Sequence, residues 1–516
     1  MSFIKSILTV SGMTMLSRLT GFIRDTMAAN IIGAGPVSDA FFVALRIPNL
    51  FRSLFAEGAF SAAFVPLYSK AKAEGGQAEA NLFAGQALSV LMAVLLPFTV
   101  LMIILMPWAM LVLAPGFHSR PEVYDLAVNY ARITFPYLML VSVVALLASV
   151  LNSNHKFGPG AAAPIAFNVL MIAALILSPI IHMEPGLAMA YAVPLSALVQ
   201  WVWLAGHCKK MGISPSNLMP KLTTRVKELF VRIGPGAIGA GAAQINLAMS
   251  TILASLLPTG SVSWLFYADR LNQLPLGIIG IAIATTLLPI LSSRVQSKDS
   301  DGARHYTTRA LEFGMILGLP AAIGLGLAAK EIVQVLFQHG AFTGQDTLNT
   351  SAALSAYVFG ILPFILIKIL STIFFAHHDT KTPVKTAIIS VVLNILFAMG
   401  LLKIMGHVGV ALATSIASWA NVLMLVFALQ RSKLLRLDAS FMPHMLKIAL
   451  CAGCMALFLW GAGPMLDTHL MTGGKWLDVT LLGAYLTSAC LVYVVALQLT
   501  GAMTLKDVMK MIKREN

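Results

Sequence analysis

Apolar runs of about 20 residues follow one another along almost the whole chain, separated by short polar segments. A run of this length forms a helix that crosses a bilayer core of about 30 Å. The pattern predicts fourteen membrane-spanning helices, at residues 4–33, 37–67, 85–114, 123–151, 160–182, 186–207, 229–257, 262–293, 306–328, 348–376, 383–403, 407–430, 445–463 and 477–501. Residues 503–516 form a basic amphipathic tail, which we expect on the anionic inner surface of the membrane.

The composition agrees with this pattern, because 58% of the 516 residues are hydrophobic and 11% are charged. Soluble domains carry about 25% charged residues, so we predict an all-α polytopic membrane protein. The first span carries Arg18 and is too long for the apolar core of a signal peptide, so we expect no cleavage. Cys451 and Cys454 lie inside an apolar run with no second pair nearby, which favours packing over metal binding. We predict neither a metal nor a cofactor.

The formal net charge of +14 reflects an asymmetry across the membrane. With the N-terminus in the cytoplasm, 22 of the 35 Lys and Arg residues fall on the inner side, 4 fall outside and 9 lie within spans. Cytoplasmic segments of membrane proteins carry such an excess of cations. We therefore predict that both termini are cytoplasmic and that the basic balance requires no nucleic-acid partner.

Two short motifs indicate an internal repeat. "GPVSDAFFVALR" (35–46) and "GSVSWLFYADRL" (260–271) share Gly, Val, Ser and Phe at an offset of 225, and "FVPLYS" (64–69) resembles "LLPILS" (287–292). The copies lie six spans apart, which predicts a parallel repeat with lobes at 1–220 and 221–436 and two extra helices at 437–502. Transporters built this way bind substrate between the repeats, near the midplane. Chance similarity between apolar segments is the alternative.

The cations inside the predicted spans fall into two groups. Arg232 and Arg309 lie within a turn of a cytoplasmic span end and can reach water, and Arg132 can reach the outer interface or pair locally. Each of the others would cost about 2.5–3.5 kcal/mol if it faced lipid. These others are Arg18, Arg24, Arg46, Arg52, Arg270 and Lys368. We expect them to face a water-filled cavity or the nearby acids Asp25, Asp39, Glu57 and Asp269.

The arginines on these spans outnumber the carboxylates, which indicates an anionic ligand. A guanidinium presents a planar fork of donors that matches phosphate or carboxylate oxygens. Gly21 and Pro48 are positions at which the first two spans can bend and turn their arginines inward. The pattern predicts an anionic, phosphate-bearing substrate held between the lobes. Ion pairs that tie helices together are the alternative, above all for the four acids.

The chain contains no catalytic motif of the common metal-dependent, nucleotide-binding or triad types, and no long loop that could form a catalytic domain. We therefore predict a transporter rather than an enzyme.

Five segments resemble the MurJ (MviN) lipid II flippases of the MOP exporter superfamily. They are "SRLTGFIRD" (17–25), "SDAFFVALRIPNLFRSLFAEGAFSAAFVP" (38–66), "APGF" (114–117), "GSVSWLFYADRL" (260–271) and "DTKTPVK" (379–385). The resemblance implies two six-helix lobes and two C-terminal helices. It also implies that the protein carries lipid II, the undecaprenyl-diphosphate-linked peptidoglycan precursor, from the inner to the outer leaflet of the bacterial inner membrane.

The resemblance also assigns cavity positions. The matched positions are the essential arginines Arg18, Arg24, Arg52 and Arg270, the acids Asp39 and Glu57, and the further positions Asn49 and Ser263. Gln273 stands where many relatives have a glutamate, so the role of that acid is in doubt here. Some members bind sodium through acids of the second lobe, but residues 229–257 contain no acid, so we predict no sodium site.

A mechanism follows from the resemblance. The arginines would clamp the diphosphate, the tail would stay in the membrane near the last two spans, and the lobes would rock between inward-open and outward-open states. Asp25, Asp39 and Glu57 would pair with arginines in the empty state. The predicted partners are lipid II, anionic membrane lipids and cell-wall synthesis proteins. The alternatives are a superfamily member that exports drugs or another polyprenyl-linked sugar, and a scaffold without transport.

Overall fold

The computed structural model describes residues 3–55, 59–215, 219–435, 437–472 and 474–503. Its helices are α1 Phe3–Ile32, α2 Pro36–Phe55, α3 Ala59–Leu113, α4 Pro121–Thr134, α5 Tyr137–Ser153, α6 Gly158–Leu177, α7 Pro185–Lys210, α8 Thr224–Ser255, α9 Ser261–Pro275, α10 Ile281–Gln296, α11 Ser300–Leu327, α12 Ala329–Phe337, α13 Gly344–Val358, α14 Ile361–Ala376, α15 Lys381–Arg431, α16 Phe441–Asp467 and α17 Lys475–Thr500. A 3-10 turn at Pro115–Ser119 and a π-helical turn at Leu276–Gly280 complete the regular structure of these residues. The all-α prediction is confirmed.

Nine stretches of the described residues are long and apolar enough to cross a membrane, which confirms a multi-pass membrane protein. They are Phe60–Leu113, Pro121–Ser153, Gly158–Leu177, Pro185–Lys210, Ser300–Leu327, Gly344–Ala376, Lys381–Arg431, Phe441–Asp467 and Lys475–Thr500. These correspond to predicted spans 3 to 6 and 9 to 14. In the described part of the chain, the helices at predicted spans 1, 2, 7 and 8 do not meet the same criteria of length and apolar composition. The total of fourteen stays a prediction.

Two of the long helices are interrupted at glycines. In α3 the backbone leaves helical geometry at Gly75 and Gly76, on the predicted inner side between spans 2 and 3. In α15 it does so at Gly406, between predicted spans 11 and 12. Each of these helices therefore contains two segments that run in different directions.

The contacts divide the chain into two compact units. One comprises Met1–Ser263 with Gly340–Phe342, and the other Trp264–His339 with Thr343–Asn516. This division places α8 in the first unit, because α8 packs on α2 and α3. The boundary differs from residues 220 and 221, which we derived from the repeat, and the two lobes therefore stay a prediction.

Each unit has an apolar core of its own. In the first unit, Phe64 stacks between Phe60, Tyr68 and Phe83, with ring centroids 5.3 to 5.6 Å apart. In the second unit, the core comprises buried residues of α10, α11, α14 and α15. The last two helices pack on each other and on α11, where the Tyr493 hydroxyl donates to the Ile316 carbonyl at 2.8 Å.

Candidate functional site

Arg24 is buried on α1 and is held by two neighbours. Its Nε and Nη2 donate to Oδ1 of Asp25 at 2.9 and 2.6 Å, and its Nη1 donates to Oδ1 of Asn168 at 3.0 Å. Its guanidinium carbon lies 5.5 Å from the centre of the Phe167 ring. Arg24 and Asp25 are 8% and 4% exposed. A buried arginine in this setting needs such a partner, because an unpaired charge there is strongly destabilising.

Asn168 links α6 to α1. Its Nδ2 donates to the Ser17 carbonyl at 2.9 Å and to Oγ1 of Thr20 at 3.2 Å. A Cβ atom at Gly21 would lie 3.4 Å from this Nδ2, which is an ordinary van der Waals distance. The helix α1 continues through Gly21, and α2 continues through the buried Pro48. Whether either residue acts as a hinge stays a prediction.

The other candidate residues of the first unit lie on α1 and α2. Arg18 is exposed, and Nε of Arg52 donates to Oδ1 of Asn49 at 3.2 Å. Arg46 lines an apolar pocket of about 340 Å³ between α2, α3 and α8, together with Gln244. Glu57 lies outside the described residues. Their predicted roles in binding stay predictions.

Asp39 accepts three hydrogen bonds at the start of α2. The Gly260 N–H donates to Oδ2 at 2.6 Å, and the Ser263 N–H and Oγ donate to Oδ1 at 2.9 and 2.6 Å. The Ser263 and Ser38 hydroxyl oxygens are 2.9 Å apart. We call Ser38, Asp39, Gly260 and Ser263 the Asp39 cluster. All of its side chains are buried, with Asp39 1% exposed.

Arg120 forms a second set of contacts beside the Asp39 cluster. Its Nη2 donates to the Ser255 carbonyl at 2.6 Å and its Nη1 donates to Oγ1 of Thr259 at 2.9 Å. A Cβ atom at Gly116 would lie 2.1 Å from the Ser255 carbonyl oxygen, so only glycine permits this close approach. The Ala341 N–H donates to the Asn30 carbonyl at 2.7 Å, and both residues belong to the first unit.

The candidate residues of the second unit lie on α9 and α14. The guanidinium carbon of Arg270 lies 4.9 Å from the centre of the Phe266 ring. Nε2 of Gln273 donates to Oδ2 of Asp269, so the residue that replaces the expected glutamate binds the neighbouring acid. Lys368 is exposed on α14.

Sequence reasoning missed three residues that the structure places in buried or bridging positions. Asn168 sits alone in an apolar run, and a lone polar residue there was the available signal. Arg120 was assigned only to an outer loop. Glu312 lies within predicted span 306–328, is 2% exposed and accepts from Nη1 of Arg309 at 2.8 Å. Among the described residues, no group of three His, Cys, Asp or Glu side chains could hold a metal ion.

Comparison with known proteins places the chain in a family. The sequence model of the family described as "Lipid II flippase MurJ" matches residues 28–475. This chain belongs to the MurJ family. It is 37% identical to the probable lipid II flippase MurJ of Rhizobium meliloti strain 1021, over 100% of this chain and 97% of the relative. It is 35% identical to the lipid II flippase MurJ of Burkholderia cenocepacia, over 84% of each.

Solved structures agree with the family. A lipid II flippase MurJ in an inward closed conformation matches with a TM-score of 0.78 and 26% identity, over 95% of this chain and 98% of that one. An inward-facing multidrug resistance MATE transporter of the MOP superfamily matches with a TM-score of 0.69 and 15% identity, over 83% and 98%. The second likeness concerns the fold alone. The prediction of a MurJ family member is confirmed.

Proposed function

We propose that this chain carries lipid II from the inner to the outer leaflet of the bacterial cytoplasmic membrane. Membership of the MurJ family supports this substrate and this reaction. The chain is a transporter rather than an enzyme, so its residues have to bind, enclose and release the substrate. We propose that both termini are cytoplasmic, and that residues 503–516 contact anionic lipids while other surfaces contact cell-wall synthesis proteins.

The observation that carries the proposal for substrate binding is the Arg24 fork. Two nitrogens of Arg24 point at one carboxylate oxygen of Asp25, and a third points at the Asn168 amide. Phosphate oxygens accept hydrogen bonds in the same planar arrangement. We propose that the diphosphate displaces Asp25 from Arg24 and is bound further by Arg18, Arg52 and Arg270. Asn49, Arg46, Lys368 and the Asp269–Gln273 pair are proposed to contribute to the same cavity.

The polyprenyl tail requires an apolar surface outside that cavity. A groove of about 600 Å³ runs along α16 and is lined by apolar or small residues that include Leu327, Leu450, Leu457 and Trp460. Leu457 and Trp460 are 70% and 76% exposed. An isoprenoid chain has no polar atoms to satisfy, so a groove of this composition suits it. We propose that the tail lies in this groove while the headgroup crosses.

Release of the headgroup requires an opening toward the outside. The predicted topology puts the Asp39 cluster and Arg120 on the outer side of the membrane. They lie at the loops that join spans 1 and 2, spans 3 and 4, and spans 7 and 8. Their hydrogen bonds hold the starts of α2 and α9 together. We propose that the hydrogen bonds of the Asp39 cluster and the Arg120–Thr259 bond close the outer side and break when the substrate leaves. Asp39 and Ser263 would then act in gating.

Complementation tests the proposed function. Cells are depleted of their native flippase and supplied with this chain or with Arg24→Ala, Arg24→Lys, Arg18→Ala, Arg52→Ala or Arg270→Ala, and lipid II on the outer face is measured. We expect the wild type to restore exposure and each alanine variant to lose it about tenfold or more, with Arg24→Lys also impaired because an ammonium cannot form the fork.

Arg132→Ala is the matched control, because Arg132 is exposed on α4 and donates to the Ile103 carbonyl. Its activity should equal that of the wild type at equal abundance in the membrane. Normal exposure in all four alanine variants would contradict the arginine clamp. Drug tolerance without any lipid II exposure would instead favour a multidrug exporter, and viability without either would favour a scaffold.

A further inference from the structure

The helix α8 has two conflicting assignments. The repeat makes it the first helix of the second lobe, equivalent to α1. The contacts, however, place it in the first unit, where it packs on α2 and α3. Bonds near both ends of α8 hold it there, and each end uses a different kind of contact.

The start of α8 is fixed by Arg225. Its Nη1 donates to Oε1 of Glu79 at 2.5 Å, and its Nη2 donates to Oε2 of Glu74. The two glutamates raise the pKa of Arg225 further above its ordinary value, with Glu79 the larger cause. We call Glu74, Glu79 and Arg225 the Arg225 cluster.

A glycine pair shapes the partner of Arg225. Gly75 and Gly76 separate the two glutamates along the chain. Gly76 has a φ of +68°, a backbone conformation that residues other than glycine rarely adopt. This break folds the segment back, so that carboxylates five residues apart meet one guanidinium. A continuous helix would place residues five apart about 140° from each other around its axis.

The first turns of α8 also take part in the core of the first unit. Val226, Leu229 and Ile233 are buried there, in the same cluster as the stacked rings of Phe60 and Phe64. Just before α8, Oγ1 of Thr223 donates to Oε1 of Gln86 on α3 at 3.3 Å. Apolar burial and polar contacts thus fix the same end. Within a span such contacts stabilise through van der Waals packing.

The end of α8 is fixed by hydrogen bonds to Ser255. The Gly116 N–H donates to Oγ of Ser255 at 3.3 Å, and Arg120 donates to the Ser255 carbonyl. Beyond Ser255, the segment 256–260 leads to α9.

We propose that α8 stays bound to α2 and α3 throughout the transport cycle, so that the chain flexes at segment 256–263. Arg225, Glu74 and Glu79 are positioning residues that keep α8 in place. The inference rests on the proposed function, because it concerns which helices move when lipid II is flipped. In this proposal, α8 stays with Ser38 and Asp39 of α2 when the Asp39 cluster opens.

Crosslinking tests the proposal in the full-length chain. Gln86→Cys with Thr223→Cys is joined by a short bis-methanethiosulfonate linker in cells that depend on this chain, and lipid II exposure is measured before and after reduction. We expect exposure to stay within about twofold of the unlinked double variant, because the linked positions do not separate. Loss of exposure on linking, with recovery on reduction, would overturn the proposal.

A second crosslink calibrates the first. Ser38→Cys with Ser263→Cys joins the two sides of the Asp39 cluster, and linking it should lower exposure about tenfold or more, since these contacts have to break. Each single-cysteine variant, treated in the same way, controls for the four native thiols. The proposed function has a separate readout, which is the exposure supported by the wild-type chain, so failure of one hypothesis is distinguishable from failure of the other.

A variant pair decides the matter if the double-cysteine chain is itself inactive. Arg225→Ala should reduce lipid II exposure about two- to fivefold, and Arg232→Ala should not, although Arg232 also binds a glutamate, Glu228, at 2.5 Å. The difference between them is that Arg232 pairs within α8, whereas Arg225 pairs with α3. Equal activity of the two variants, at equal abundance, would overturn the proposal.

Discussion

The Asp39 cluster and the Arg225 cluster both hold the ends of helices within the first unit, but they are built differently. Asp39 is 1% exposed and binds two backbone N–H groups and a hydroxyl. The Arg225 cluster consists of opposite charges whose side chains are 28 to 47% exposed. A buried acceptor loses much when its donors leave, whereas exposed ions exchange partners with water at little cost. The Asp39 cluster is therefore costly to open, whereas the Arg225 cluster contributes little by itself and acts together with the buried residues Val226, Leu229 and Ile233.

Loss of the Asp39 charge should have the largest effect. In Asp39→Asn, the amide would place a donor against one of the N–H groups of Gly260 and Ser263, and hydrogen bonds to charged groups contribute about 1.5–3 kcal/mol each. We expect lipid II exposure to fall about tenfold or more. A buried reporter, Ser261→Cys, should react faster with an impermeant maleimide in this background.

Asp125→Asn is the control for Asp39→Asn, because Asp125 is an exposed acid on α4. It should leave both lipid II exposure and reporter labelling unchanged. Unchanged labelling of the reporter in Asp39→Asn would contradict the proposal that the Asp39 cluster closes the outer side.

Removal of Arg120 should have an intermediate effect. Arg120→Ala deletes two hydrogen bonds, to Ser255 and Thr259, but leaves the Asp39 cluster intact. We expect the closed form to lose about 1–3 kcal/mol of stability relative to the opened form. The labelling rate of the Ser261→Cys reporter should then lie between its rates in the wild type and in Asp39→Asn. Thr259→Val, which removes one of the two bonds, should label more slowly than Arg120→Ala. The reverse order would contradict this ranking.

The smallest effect should come from loss of the Arg225 cluster, and this effect should depend on salt. Arg225→Ala should lower the melting temperature of the purified chain in dilute buffer by the equivalent of about 1 kcal/mol or less. At 1 M salt the Debye length is about 3 Å, so the difference from the wild type should shrink. The effect of Asp39→Asn should not depend on salt, and a salt response of both variants would erase the distinction between the clusters.

Local features of the sequence predicted the all-α membrane class but not every helix boundary, because predicted span 123–151 is divided between α4 and α5 and span 348–376 between α13 and α14. The run of apolar residues around Gly406 was correctly divided there, because a glycine between two spans marks a turn. The arginines stood out for the same local reason, since any cation inside an apolar run is conspicuous. Family resemblance then supplied the substrate.

Partners distant in sequence could not be predicted from local pattern. Asn168 lies 144 residues from Arg24, and no periodicity connects them. The repeat came closest, because it matched Ser38 with Ser263, and these two hydroxyls lie 2.9 Å apart. The packing of α8 on α2 and α3 did not follow from the repeat, since packing on a neighbour depends on side chains that the repeat does not share.

The position of Asp25, immediately after Arg24, has a consequence for how the protein is made. A cation that enters the membrane with the first helix during synthesis has no other helix to bind, and the penalty is about 2.5–3.5 kcal/mol. Because its carboxylate partner is the next residue, Arg24 can enter the bilayer as part of a neutral pair. Asn168 arrives only after several more helices have been translated. The first helix can therefore be inserted before the rest of its binding partners exist.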